Sequence, residues 1–215
     1  MSVTAAACVI FDIGGVLELT PETGWVQQWE ARLELPSGAV HERMRDVWQA
    51  GSLGTIGERD VHEQLAARLR LDAPQVDAFM AGLWREYLGT PNEELIAYLR
   101  GLRGKCRLGI LSNSFVGARE RESELYHFDE LVEQIVYSHE LGIEKPDPRA
   151  FEAVCTALGV EPETCLFIDD FAVNVEAAEA AGMRAHLFED NARTIARIAA
   201  HVGAGPRGAG RAPTG

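Results

Sequence analysis

Four short stretches of this chain carry side chains that could do chemistry together. Asp12 closes an apolar run rich in β-branched and aromatic residues, Cys8-Val9-Ile10-Phe11, which predicts a buried strand. Gly14-Gly15 follow it, a pair that lets the backbone turn or approach a ligand closely. A carboxylate at the C-terminal end of such a strand sits where open α/β sheets bind their ligands. Ser112 ends a second apolar run, Cys106–Leu111, and its hydroxyl can donate to an anionic oxygen. Lys145, in the loop GIEKPDP, offers a compact positive charge; of the 20 basic residues only it and Lys105 are lysines. Asp169-Asp170 end a third run, Cys165–Ile168, and side-by-side carboxylates at a buried strand end are costly unless they meet a cation or hydrogen-bond donors. Taken singly, each has a plainer account: Asp12 as a turn cap, Ser112-Asn113-Ser114 as a turn or helix N-cap, Lys145 as a surface lysine. Only together do they suggest a site.

The elements that must position these residues alternate. Strands are expected at Cys8–Phe11, Cys106–Leu111, Val132–Tyr137, Cys165–Ile168 and Arg184–Phe188, with helices at Leu95–Leu102, Asp147–Leu158 and Asn174–Ala181. Such alternation implies a Rossmann-like α/β fold, a parallel sheet covered by helices on both faces. Between the first strand and the next, four amphipathic runs predict a small helical bundle. Their apolar faces carry Trp25, Val26, Trp29 and Leu33; Val40, Met44, Val47 and Trp48; Val61, Leu65 and Leu69; and Val76, Phe79, Met80, Leu83 and Trp84. Ser37 is the expected N-cap of the second run. Trp29, Trp48 and Trp84 are expected in the bundle's core, whereas Trp25, nearest the Asp12 loop, is a candidate for the wall of a substrate pocket. The alternating charges of Arg119–Glu124 predict a solvated helix face. The domains are thus 1–17 and 89–202 for the α/β core and 18–88 for the helical insert, with 203–215, rich in Gly, Pro and Arg, as a disordered tail.

Composition excludes several classes of function. A net charge of −13 and a pI near 4.9 argue against nucleic acid and anionic membrane surfaces as partners. No apolar run approaches a membrane span and no basic segment precedes the first short apolar strand, so a cytoplasmic protein is expected. The 4 cysteines lie in or beside apolar segments without a C-x-x-C, and the 6 histidines form no metal-binding pattern, so reduced, buried thiols are expected. The oligomeric state is left open by the sequence.

In order along the chain, FDIGGV, LSNS, GIEKPDP and LFIDD resemble the four motifs of the haloacid dehalogenase-like (HAD) hydrolases, and the resemblance extends to about His201. Within that superfamily the chain is similar to the phosphatase branch that holds sugar-1-phosphate phosphatases and the N-terminal phosphatase domain of soluble epoxide hydrolases. The resemblance implies a Mg²⁺-dependent phosphatase acting on a small phosphorylated metabolite, a sugar phosphate among the candidates, with the insert as a cap over the active site. Asp12 would be the nucleophile that forms an aspartyl-phosphate. Asp12, the main-chain carbonyl of Gly14 and Asp170 would hold Mg²⁺, with Asp169 as a further ligand or a support behind them. Ser112, Lys145 and the amides of Gly15 and Asn113 would bind the phosphoryl group. The phosphatases of the superfamily usually carry a second Asp two residues after the nucleophile, where this chain has Gly14. That difference motivates a non-catalytic phospho-ligand binder as the alternative. A dehalogenase is disfavoured, because those relatives need no metal and the pair Asp169-Asp170 would lack a purpose. Phosphonate cleavage through a lysine of the cap is disfavoured too, since no lysine lies between Gly15 and Gly104.

Overall fold

The computed structural model describes residues 7–204. Its central sheet has five strands, β1 (Cys8–Phe11), β4 (Arg107–Ser112), β5 (Gln134–Tyr137), β6 (Cys165–Asp169) and β7 (Arg184–Leu187), in the order β5-β4-β1-β6-β7, all parallel. A short antiparallel pair, β2 (Glu18–Leu19) with β3 (Thr90–Pro91), lies outside it. Strands β1 and β6 are buried throughout and alternate between two cores, as a period of two requires. Val9, Phe11, Leu166 and Ile168 face one core with Leu95, Leu99, Phe128 and Ile198. Cys8, Ile10, Cys165 and Phe167 face the other with Phe151, Val154, Leu158 and Ala178. Helices therefore cover both faces, as the alternation of elements predicts. The 4 cysteines are free and buried. Among the described residues no helix is long and apolar enough to cross a membrane.

Helices α1 (Trp25–Arg32), α2 (Ala39–Ser52), α3 (Glu58–Leu69) and α4 (Ala73–Leu88) form the insert, around a third apolar cluster. Trp29 and Trp84 are buried there as expected, and Trp48 is half-buried at its margin. Trp25 is there too: its ring meets Phe79 edge-on at 4.7 Å and covers Gly82, so it does not line the cleft described below. The N-cap of α2 is Gly38 rather than Ser37, and it starts the helix from a left-handed conformation with no side-chain bond. Asp72 caps α4 as the capping-box pattern dictates, its side chain accepting from the Gln75 amide at 2.9 Å.

The insert joins the core at its two ends and along one flank. Asn92, which caps α5 (Glu93–Arg100), donates its side-chain amide to the Val16 carbonyl at 2.8 Å, while its main-chain N–H donates to Leu17 at 2.9 Å. The flank is held by Arg121 of α6 (Ala118–Tyr126), which pairs with Glu58 at 2.6 Å and stacks over Trp84 at 4.0 Å. Ser138 donates to the Ser52 carbonyl at 2.9 Å. Beside that bond a Cβ on Gly54 would fall 1.7 Å from the His139 carbonyl oxygen, so only glycine permits the approach. Helix α11 (Asn191–Gly203) runs one residue past the expected core boundary, and residues 205–215 of the expected tail lie outside the described part.

Candidate functional site

The strand order sets the place of the site. From β1 the sheet grows to β4 and β5 on one side and to β6 and β7 on the other, so the loops leaving the β1 edge part and open a crevice. Register aligns Phe11 with both Ile110 and Ile168, and the Asp12 amide donates to the Ile168 carbonyl at 2.8 Å. Asp12, Ser112 and Asp169-Asp170 consequently emerge at one edge. Lys145 arrives from the loop between α8 (Ser138–Leu141) and α9 (Pro148–Leu158), where Asp147 caps α9 and Pro148 opens it. A cleft of about 610 Å³ is lined here by Asp12, Gly14, Gly15, Asn113, Lys145 and Asp170, with Asn174 and several apolar residues at its margin.

Lys145 is 2% exposed and its ammonium bridges two carboxylates, Asp12 Oδ1 at 2.8 Å and Asp169 Oδ2 at 2.7 Å. The backbone at Lys145 is clamped by Asn113, whose Nδ2 donates to the Lys145 carbonyl at 2.8 Å and whose Oδ1 accepts from its N–H at 2.7 Å. The Asn113 side chain thus sets the lysine's position, a role its sequence context does not announce. Asp169 also accepts from Phe171 N at 2.8 Å and from Asn174 Nδ2 at 3.1 Å to each oxygen. With the lysine that makes three donors in four contacts, enough to fill a carboxylate's roughly four lone-pair positions, which suits Asp169 to holding Lys145 rather than to ligating a cation. Ser112 is buried at the end of β4, next to Asn113.

Asp170 is the contrasting case. Its Oδ1 is buried with no hydrogen-bond partner among the described residues, and burial, with Asp169 beside it, raises its carboxyl above the ordinary range. Oxygens of Asp12, Asp169 and Asp170 lie within 4.8 Å of one another. Against these three carboxylates stands the single ammonium of Lys145, so the cluster is short of positive charge. Hard oxygen donors around an orphaned, buried carboxylate oxygen fit a divalent cation such as Mg²⁺. Asp12 itself is pushed up to about 6, chiefly by burial, with Lys145 pulling the other way. Gly15 has φ +74°, and a Cβ there would fall 2.2 Å from Asp170 Oδ2, so glycine is what lets that carboxylate close over the Asp12 loop. At Gly14, by contrast, a Cβ would meet nothing within 4 Å.

Behind the site lie buried acids that the sequence pattern conceals. Glu122, in the stretch expected to face solvent, is 0% exposed, and Tyr137 donates to its Oε2 at 2.5 Å. Glu18 is buried as well, with its Oε1 unpartnered among the described residues. Burial and the neighbouring carboxylate of Glu122 push Glu18 up to about 10, and Glu122 is raised, by burial first, to about 7. Glu22 is exposed. Between its unfolded value of 4.5 and about 7, Glu122 keeps a proton in the folded chain that the unfolded chain has released. Its contribution to stability is therefore whole below pH 4.5 and falls as the pH climbs to about 7. Glu122→Gln, unable to ionise, is expected to gain on the wild type across that interval by on the order of 3 kcal/mol. Urea unfolding of both proteins from pH 5 to pH 8 measures it; a gap that stays constant with pH would show that Glu122 is ionised throughout.

The fold and the residues gathered at this sheet edge match one superfamily. Residues 6–182 match the family model for haloacid dehalogenase-like hydrolases, and the chain belongs to that family. A phosphatase of Mycobacterium tuberculosis is 38% identical over 112 residues, covering 50% of this chain and 52% of that protein. A phosphoglycolate phosphatase of Cereibacter sphaeroides is 33% identical over 62% of this chain and 58% of its own. The chain thus spans a little over half the length of these two relatives. Among solved structures, a HAD family enzyme of Bacteroides thetaiotaomicron in complex with magnesium and inorganic phosphate has a TM-score of 0.74 at 20% identity, covering 88% of this chain and 98% of that one. At that identity it shows the shared fold.

Proposed function

We propose that the chain is a Mg²⁺-dependent phosphatase that hydrolyses a small phosphorylated metabolite through an aspartyl-phosphate on Asp12. The observation that carries this reading is the buried triad Asp12–Lys145–Asp169 beside the orphaned Asp170 oxygen at the switch point of the sheet. Family membership and the two phosphatase relatives support it.

Lys145 and the Ile13 amide both bind Asp12 Oδ1, the amide at 2.8 Å, which fixes the carboxylate and leaves Oδ2 without a donor among the described residues. An Asp12 oxygen attacks phosphorus, the bond to the leaving oxygen breaks, and water then attacks the aspartyl-phosphate to release inorganic phosphate and the free carboxylate. Asp12, the Gly14 carbonyl and Asp170 would hold Mg²⁺, which when bound would supply the positive charge that lets a carboxylate approach a phosphate dianion. Lys145 offsets charge on the transferring group; Ser112 and the amides of Gly15 and Asn113 donate to its oxygens. The insert acts as the cap, a role supported by Thr20, which follows β2 and lines the cleft. The test is hydrolysis of p-nitrophenyl phosphate, expected with Mg²⁺ and lost with chelator. Phosphate binding without turnover under both conditions would leave a non-catalytic binder.

Gly14 cannot protonate the departing oxygen. Of the two acids that follow it in sequence, neither Glu18, whose backbone bridges to Gly14, nor Glu22 lines the cleft. The wild-type rate is expected to depend steeply on leaving-group pKa. Gly14→Asp enters open space at a residue without a left-handed φ, and should raise alkyl phosphate turnover by about 10²-fold, at the low end for general acids. Rates on a series of aryl and alkyl phosphates decide it. A flat wild-type dependence with chemistry rate-limiting would reveal another acid.

A further inference from the structure

The mouth of the cleft has a feature that the fold does not require. Phe171 follows Asp170 at the N-cap of α10 (Ala172–Ala180), a position where Ser, Thr, Asp or Asn would bond a free amide of the first turn. Phenylalanine makes no such bond, and the residue is 61% exposed while lining the cleft. Val173, two residues further, lines the same mouth at 54% exposure, and Pro146 adds a third apolar surface. An aromatic side chain that forgoes a helix cap and stands in water is a local rule broken next to the reacting residues, where function is the usual reason.

The charges of the cleft point the same way. Among the described residues lining it, Lys145 is the one cation, and its ammonium is already shared between Asp12 and Asp169. Asp12 and Asp170 are the other charged groups of the lining. A substrate with a second anionic group, such as a carboxylate or another phosphate, would find no counter-charge there and would meet carboxylates instead.

We propose that the substrates are phosphate monoesters of uncharged, apolar phenols or alcohols, and that Phe171 and Val173 grip the apolar leaving group as it extends from the cleft. This rests on the phosphatase reading for its catalytic half, and the experiment separates the two. In a series of 4-alkylphenyl phosphates, which hold leaving-group pKa nearly constant, kcat/KM is expected to rise by about two- to fourfold per methylene over the first few carbons. With Mg²⁺ present, Kd for the non-hydrolysable n-alkylphosphonates should fall with the same slope. Phosphoglycolate should be the poorer substrate by at least about tenfold. Phe171→Ser combined with Val173→Ser should flatten both slopes. Because serine is a good N-cap, Phe171→Ser alone should keep or raise Tm, an outcome that a structural role for the ring would not give. Hydrolysis of p-nitrophenyl phosphate with no chain-length slope, or slopes that survive the double substitution, overturns this proposal and leaves the phosphatase reading standing. Phosphonate binding with the predicted slope but no turnover of any ester does the reverse. Absence of phosphonate binding at every chain length overturns the proposal as well.

Discussion

Lys145→Ala is expected to lower single-turnover phosphoryl transfer by about 10³-fold, the scale of losing a preorganised electrostatic stabiliser. The same change should destabilise the chain by about 3–5 kcal/mol in metal-free buffer, because removing one partner of a buried ion pair strands the other. Here two partners are stranded, Asp12 and Asp169, bonded to the ammonium at 2.8 and 2.7 Å. Lys145→Arg should recover only part of either loss. A planar guanidinium is larger than the ammonium, which sits in a fully enclosed space above the Phe167 ring at 5.3 Å. Rapid-quench kinetics and urea unfolding report the two effects separately. A wild-type transfer rate in Lys145→Ala would show that the phosphoryl group binds elsewhere.

Asp12→Asn is expected to remove turnover by on the order of 10⁴–10⁶-fold and to abolish the acid-stable phosphoenzyme, since an amide oxygen is a poor nucleophile. Its effect on stability should run the other way. Burial raises the Asp12 carboxyl to about 6, so near pH 8 the folded chain carries the charge at a penalty that asparagine escapes. Lys145 keeps Asp169 as its partner in the variant. Loss of activity with a Tm that holds or rises marks a residue retained for chemistry at the expense of stability. Residual phosphoenzyme in Asp12→Asn would assign the nucleophile to another residue.

These two substitutions separate what local sequence carries from what it does not. The strands and the residues at their ends follow from short patterns: an apolar run, a carboxylate at its close, glycines after it. Each of those is a local property, and a parallel sheet turns the ends of β1, β4 and β6 toward one edge whatever lies between them. The helical insert was equally legible, because an amphipathic face repeats every three to four residues. Membership of the haloacid dehalogenase-like hydrolases was therefore readable from FDIGGV, LSNS, GIEKPDP and LFIDD alone.

The tertiary structure decided the rest, chiefly through contacts between residues remote in sequence. Glu122 lies in a charged run that patterns like a solvent face, yet it is buried and β5 delivers Tyr137 to it. Charge periodicity records a helix's composition, not its neighbours. Asn113 and Lys145 are 32 residues apart, so the clamp that sets the lysine exists only after β4 and the α8–α9 loop have met. Asp169 and Asp170 are adjacent and chemically identical. One is saturated by Lys145, Asn174 and an amide while the other keeps an orphaned oxygen, a difference made by the direction each takes at the end of β6. Trp25 turned inward to Phe79, and it was Phe171, a residue with no periodicity to single it out, that the packing of the sheet edge left at the mouth of the cleft. Sequence determined which groups are present and on which strand ends; burial and the partners each group meets were set by long-range packing, and those two quantities govern charge, reactivity and access.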